Sequence, residues 1–253
     1  MATLAAPLIP RVCFFKIIGG DIKPVFHLYE MWCYLMVHKL LCQLTDSTGE
    51  PELSFMNKDK QFMKDLISKN DKPIKFLFSH NDKEVILHLY YNKDFNPIDD
   101  KSTQWADSYS GVFNPDVRIS MEMNDTIHWL HFDAKYRLDL QKWRSELGNG
   151  DIVSSFKRED IHKMHTYRDA LLGTRGSYVL YPGSECIEEL YVRNPNKAYR
   201  DINLMPSVGA FPLKPTESDV QNNQMDCISN HIRGCIHSLI ENDFAYKEEH
   251  GLS

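Results

Sequence analysis

Two aspartates and a lysine, residue types that suit metal-assisted chemistry, fall within one short stretch of the chain. They are Asp116, Asp133 and Lys135. Carboxylate oxygens are hard ligands that bind Mg²⁺ together with waters and a substrate phosphate. A neighbouring ammonium group can help to deprotonate a metal-held water, or neutralise the charge that a phosphate acquires in its transition state. The set therefore suggests hydrolysis of a phosphodiester, provided that the fold brings the three side chains together.

The elements that must position this set are two predicted strands, 116–123 and 127–137, joined by an Asn-Asp turn pair. In a two-residue turn the numbers of facing residues sum to 249, so that Asp116 faces Asp133. In a four-residue loop the sum is 251, and Asp116 faces Lys135 instead. In both registers the three side chains share one polar face, because side chains two apart on a strand point the same way.

An ion pair between Asp133 and Lys135 on the surface, without a chemical role, is the competing interpretation of these residues. The pattern acid-x-Lys also occurs at 21–23 and 99–101, so the tripeptide alone is not specific. Only the copy at 133–135 lies in a strongly β-patterned run with an acid opposite. Facing carboxylates about 5 Å apart repel each other unless a cation lies between them. The residues alone leave both interpretations open.

A second unusual acid is Glu30, which stands among apolar residues of a predicted helix that begins at Pro24 and ends between 45 and 49. Proline suits the first turn of a helix. Apolar residues recur near the helical period at Phe26, Tyr29, Cys33, Leu40 and Leu44. A buried carboxylate at position 30 would require a partner.

The remaining pattern predicts a single α/β domain over 24–253, preceded by a lead-in segment over 1–23, because no repeat or linker divides the chain. A first hairpin is expected with its turn at Asn81-Asp82. The other expected elements are strands over 75–78, 84–91, 177–181 and 208–213, helices over 160–172 and 218–242, and a loop over 138–156 that could cover a site. Gly173 is the expected stop of the first of these helices.

Composition limits the classes of function. The chain has 253 residues and a formal net charge of -6, which argues against a protein that coats nucleic acid indiscriminately. The histidines and the six cysteines show no zinc-site spacing, and we expect reduced cysteines. The apolar stretch 25–44 contains charged residues and predicts a buried helix rather than a membrane span. Without a recognisable signal peptide, the expected location is the cytoplasm.

Three features, in the same order along the chain, resemble the helix glutamate and the split motif of PD-(D/E)XK nucleases: Glu30, Pro115-Asp116, and Asp133-Ala134-Lys135. The segment 160–171 resembles the helix that follows the active-site strands of these enzymes. Over about 25–215, the chain is most similar to the nuclease domain of McrC-type restriction proteins. It is short for that type, which suggests either an excised fragment or a minimal form.

The resemblance implies a restriction-endonuclease-like α/β core, in which a central mixed β-sheet is flanked by helices. It also implies hydrolysis of DNA with one or two Mg²⁺ ions, for which Mn²⁺ could substitute. By position, Asp116, Asp133 and the carbonyl oxygen of Ala134 would bind metal, and Lys135 would be the catalytic lysine. Glu30 would orient a water or bind a second metal.

One position departs from the family pattern. Related nucleases often have Gln-x-x-x-Tyr in the following helix, whereas this chain has Lys163 and Tyr167 at that spacing. We expect Lys163, Tyr167 and Arg168 to contact phosphate or to support the carboxylates. A structural ion pair of Arg168 with Glu30 or Asp169 is the competing expectation. For Tyr167 it is packing with a hydrogen-bonded hydroxyl.

The function that these features predict is a metal-dependent endodeoxyribonuclease acting on double-stranded DNA in restriction or anti-phage defence. The sequence has no Gly-x-x-x-x-Gly-Lys-Ser/Thr loop, so a motor would have to be a separate NTPase subunit. A homo-oligomer is also compatible with the sequence. The alternative is a catalytically inactive scaffold subunit that keeps the nuclease fold and recruits a partner. An enzyme of the same fold that cleaves RNA is a third possibility.

Overall fold

The computed structural model describes residues 25–45, 73–97, 108–136, 158–183, 189–192, 207–216 and 219–250. In these ranges three helices and one seven-stranded sheet form. The helices are α1 (Val25–Leu44), α2 (Arg158–Ala170) and α3 (Asp219–His250). The strands are β1 (Ile74–His80), β2 (Lys83–Tyr91), β3 (Val117–Met123), β4 (Thr126–Ala134), β5 (Thr174–Tyr181), β6 (Glu189–Val192) and β7 (Ser207–Pro212).

The sheet is mixed, with the strand order β1-β2-β3-β4-β5-β7-β6. Strands β1 to β4 are antiparallel neighbours, β5 is parallel to both β4 and β7, and β6 is antiparallel to β7. Helix α2 lies between β4 and β5 in the chain, as a parallel connection requires. This architecture confirms the expected restriction-endonuclease-like core.

The turn between β3 and β4 settles the register that the sequence left open. Asn124 and Asp125 have φ values of 48° and 61°, which is the backbone of a two-residue turn in the left-handed region. Val117 pairs with Phe132, so the numbers of facing residues sum to 249. Continuing this register by one residue places Asp116 opposite Asp133, and the four-residue alternative is excluded.

Helices cover both faces of the sheet. Helices α1 and α3 pack on one face, where Cys33, Leu41 and Ile232 are fully buried against residues of β1 to β5 and β7. Helix α2 packs on the other face, with Met164 at the centre of a second apolar cluster. The polar face of β3 and β4 is therefore buried beneath α2 at its central positions, which alternation along the strands did not indicate.

Several sequence predictions differ from the structure in detail. Phe26 is 49% exposed although it fits the apolar stripe of α1, and α3 extends to His250. Strand β6 was not predicted. The lead-in segment 1–23 and the expected loop 138–156 lie outside the described residues.

The cysteines and the helices also bear on the composition-based expectations. Cys33, Cys42 and Cys235 are free, whereas Cys227 is disulfide-bonded, so the expectation of reduced cysteines is wrong at Cys227. Among the described residues, no helix combines the length and the apolar character that a membrane crossing requires.

Candidate active site

Asp133 lies at the centre of the site, near the end of β4, and only 1% of its side chain is exposed. One carboxylate oxygen, Oδ2, forms an ion pair with the ammonium group of Lys135. The other, Oδ1, accepts a hydrogen bond from Nζ of Lys163 at 2.9 Å. The hydroxyl of Tyr167 lies 3.4 Å from the same Oδ1 atom. A buried carboxylate requires such partners to remain charged.

Asp116, just before β3, has a carboxylate that reaches across to β4. Its Oδ2 atom accepts a hydrogen bond of 2.7 Å from the backbone N–H of Ala134. Burial raises the pKa of Asp116 to about 8, and the negative charges of Asp133 and Glu30 raise it further, against the opposing effect of Lys135 and the Ala134 N–H. The two aspartates therefore repel each other, as facing carboxylates should.

Glu30 reaches the edge of the site from α1. Its side chain is 15% exposed, and its Oε2 atom lies 3.0 Å from Nδ1 of His27, one helical turn earlier. The carboxylate is close enough to raise the pKa of Asp116. The partner that a buried Glu30 required is thus a local histidine. The structure leaves the acid beside the two aspartates rather than bonded to them.

Helix α2 supplies the opposite wall through residues that project towards β4. The hydroxyl of Tyr167 also lies 3.3 Å from the backbone oxygen of Asn114. Burial, followed by the charge of Asp133, raises the pKa of Tyr167, so that its hydroxyl remains protonated and can donate. Arg168 turns away and donates two hydrogen bonds to Oδ1 of Asp169, at 2.7 and 3.0 Å. Its observed partner is the structural one that the sequence offered.

Arg118 on β3 is a functional candidate that the sequence reasoning missed. It is fully buried, and its guanidinium carbon lies 4.3 Å from the centre of the Phe95 ring. Its Nη2 atom lies 3.5 Å from both Oδ1 of Asn114 and the carbonyl oxygen of Pro115. Burial lowers the pKa of Arg118 to about 9, which still leaves it charged at neutral pH. The signal available in the sequence was a lone arginine two residues after Asp116.

His131, which shares a strand face with Asp133, does not act as a metal ligand in this arrangement. It is fully buried, and its Nε2 atom lies 2.9 Å from Oγ1 of Thr174. Burial and the charge of Arg118 both lower the pKa of His131, so the ring is neutral. His128, on the same face, accepts a hydrogen bond from Nε of Arg175. Both histidines have structural partners.

The donor set is compatible with a hard divalent cation. Among the described residues, no three His, Cys, Asp or Glu side chains converge as a ready-made metal cage. Magnesium does not need one, since it commonly uses one or two carboxylates and completes its shell with waters and substrate phosphate. Asp116 and Asp133 supply that share, and the mutual repulsion of their carboxylates is the electrostatic condition that a cation relieves.

Comparison with known proteins gives one family. The sequence profile of the PD-(D/E)XK nuclease superfamily matches residues 27–186, which contain all the residues of the site described above. No curated protein and no solved structure gives a significant match to the chain.

Proposed function

The chain belongs to the PD-(D/E)XK nuclease superfamily, and from this premise we propose that it is a metal-dependent endonuclease that hydrolyses DNA phosphodiester bonds. The observation that carries the proposal is the cross-strand pair of Asp116 and Asp133, with the ammonium group of Lys135 on the second acid. An acid pair joined to a lysine in this register is what the split motif of the superfamily provides. Nuclease chemistry is also the activity that the family suggests.

Asp116 and Asp133 are the proposed metal ligands, with the carbonyl oxygen of Ala134 as a further donor and Glu30 at the margin for a second ion or a water. A bound Mg²⁺ or Mn²⁺ would supply Lewis-acid charge at the scissile phosphate and a water of lowered pKa. The backbone N–H of Ala134 holds the carboxylate of Asp116 in place at 2.7 Å. Lys163 and Tyr167 fix Oδ1 of Asp133 in the same way.

Lys135 is the proposed catalytic lysine, because its ammonium group lies at the acid pair and its side chain is 21% exposed. From this position the group can neutralise negative charge on a phosphate oxygen, or take part in deprotonating a water. Tyr167 keeps its proton and acts as a hydrogen-bond donor rather than as a base. The protein thus contributes fixed charges and donors around a site that remains open to solvent.

The substrate and setting that we propose are double-stranded DNA and restriction or anti-phage defence in the cytoplasm. The similarity of the split motif to McrC-type proteins supports this setting. The absence of a Gly-x-x-x-x-Gly-Lys-Ser/Thr loop from the sequence supports a separate NTPase motor as partner. The net charge of -6 favours a local grip on DNA over a broad basic surface.

Cleavage of supercoiled plasmid with Mg²⁺ or Mn²⁺ tests the proposal. Wild-type protein should nick or linearise the plasmid, and both Asp116→Asn and Asp133→Asn should abolish cleavage. Asp125→Asn is the matched control, because Asp125 is an exposed aspartate in the turn of the same hairpin and should be dispensable. Parallel reactions on RNA duplex, on methylated DNA, and with nucleotide triphosphate and a candidate motor would define the substrate.

Two results would overturn the proposal. If Asp133→Asn cuts as well as wild-type protein, the cleavage does not come from this site. If the wild-type protein binds neither Mg²⁺ nor Mn²⁺ and cuts nothing in any of these reactions, the inactive scaffold alternative is correct.

A further inference from the structure

Arg118 is an energetic anomaly that stability alone does not explain. A guanidinium with no exposed surface carries a desolvation cost of several kcal/mol unless hydrogen bonds and charges offset it. Its Nε and Nη1 atoms have no hydrogen-bond partner among the described residues. An apolar side chain of similar length would pack against Phe95 without that cost. The offset must therefore come from what the remaining nitrogen and the charge do.

The remaining nitrogen, Nη2, is directed at the segment that leads into Asp116. It lies 3.5 Å from the side-chain oxygen of Asn114 and 3.5 Å from the carbonyl oxygen of Pro115. The Tyr167 hydroxyl lies 3.3 Å from the backbone oxygen of Asn114. The two residues before Asp116 are thus held from the sheet by Arg118 and from α2 by Tyr167. The charges of Asp94 and Asp116 also act favourably on Arg118.

We propose that Arg118 is a positioning residue that holds the Asn114-Pro115 segment from beneath and thereby sets the carboxylate of Asp116 opposite Asp133. The inference deepens the proposed function, because it concerns the placement of one of the two proposed metal ligands. It concerns placement before any metal arrives, so part of it can be tested without metal. The backbone N–H of Ala134 is the natural reporter, since it donates to Oδ2 of Asp116 at 2.7 Å.

The test uses the full chain with Arg118→Lys and Arg118→Met. Lysine keeps the charge but offers a single ammonium, and methionine removes the charge. Arg175→Met is the matched control, because Arg175 is an exposed arginine on β5 of the same sheet. Two measurements are made on each protein: the chemical shift and hydrogen exchange of the Ala134 amide in EDTA, and the affinity for Mn²⁺ by calorimetry. Asp116→Ala shows how the amide signal looks without its acceptor.

Positioning predicts that the Ala134 signal of both Arg118 variants moves towards that of Asp116→Ala. It also predicts that Mn²⁺ binding weakens by about tenfold in both, as changes to residues that orient metal ligands usually cause. A purely electrostatic role gives the opposite sign, since losing a cation near the site should tighten Mn²⁺ binding to Arg118→Met and leave Arg118→Lys unchanged. Arg175→Met should match the wild type in both measurements.

The outcomes separate this inference from the proposed function. An Ala134 amide that is unchanged in Arg118→Lys overturns the positioning role, even if Arg118→Met fails to fold. Lower stability with unchanged Mn²⁺ affinity in a protein that does bind Mn²⁺ also overturns it. If wild-type protein binds no Mn²⁺ while the Ala134 signal moves as expected, the nuclease proposal fails and Arg118 still positions Asp116.

Discussion

Changing each of the two site aspartates to asparagine should shift the stability of the metal-free protein in opposite directions. Asp133 holds Lys135 on one oxygen and Lys163 on the other. Asparagine would leave both ammonium groups against a neutral amide. Breaking a buried ion pair costs about 3–5 kcal/mol. Because 21% of Lys135 and 42% of Lys163 are exposed and can return to water, we expect a loss of about 1–3 kcal/mol.

Asp116→Asn should stabilise the protein instead, with a pH dependence that follows from its raised pKa. Between its ordinary value of 3.8 and about 8, the folded protein keeps a proton that the unfolded chain releases. The stability of the wild type therefore falls as the pH rises through this window, and asparagine removes that loss. One pKa unit corresponds to about 1.4 kcal/mol. Because Asp116 is partly exposed, we expect a gain of only about 1–3 kcal/mol at pH 9, where charge is partly screened.

Urea unfolding followed by circular dichroism, in EDTA at several pH values from 5 to 9, measures both changes. The Asp116→Asn gain should grow up to pH 8 and then level off. Asp125→Asn should stay within about 0.5 kcal/mol of wild type, as surface changes usually do. Destabilisation by Asp116→Asn at pH 9, or stabilisation by Asp133→Asn, would show that the charge balance has been assigned to the wrong residues.

Three further changes test other parts of the site and fold. Lys163→Gln should tighten Mn²⁺ binding about fivefold in calorimetry, because an ammonium 2.9 Å from Oδ1 of Asp133 opposes a cation by about 1 kcal/mol or more, and Arg168→Gln should leave it unchanged. Lys135→Met should lower kcat for plasmid cleavage by at least about 100-fold without weakening Mn²⁺ binding, since it removes charge stabilisation rather than a ligand; weaker binding would contradict the assigned role. Gly176→Ala should lower the free energy of unfolding by about 1–3 kcal/mol, because its Cβ would overlap the fully buried ring of Tyr178, whereas Gly111→Ala, with no atom closer than 3.9 Å, should be nearly neutral in urea unfolding.

The register of the second hairpin was predictable because it depends on local chemistry. A two-residue turn requires positive φ at both positions, and Asn124 and Asp125 tolerate it. Once the turn is fixed, the pairing of β3 with β4 follows by counting. The same reasoning held at Asn81 and Asp82, with φ values of 49° and 59°.

The burial of the polar face was not predictable in this way. The alternation in β3 marks the positions of Arg118 and Ser120 as one polar side, and such a side normally faces water. Its burial depends on α2, which follows about 40 residues later in the chain. For the same reason Arg118 was overlooked, since its value as a site residue comes from contacts with Asn114 and Pro115 that need the folded chain. Strand β6 has only four residues, too few for a periodic signal.

The two lysines at Asp133 should have different fates when a cation binds. Both oxygens of this carboxylate already carry an ammonium group, so a metal must compete with at least one of them. The side chain of Lys163 is 42% exposed and that of Lys135 is 21% exposed, so Lys163 returns to water at the lower cost. We therefore expect the metal to displace Lys163 while Lys135 remains beside the acid pair for the chemistry. This order of displacement is why Lys163→Gln should tighten metal binding while Lys135→Met should abolish cleavage.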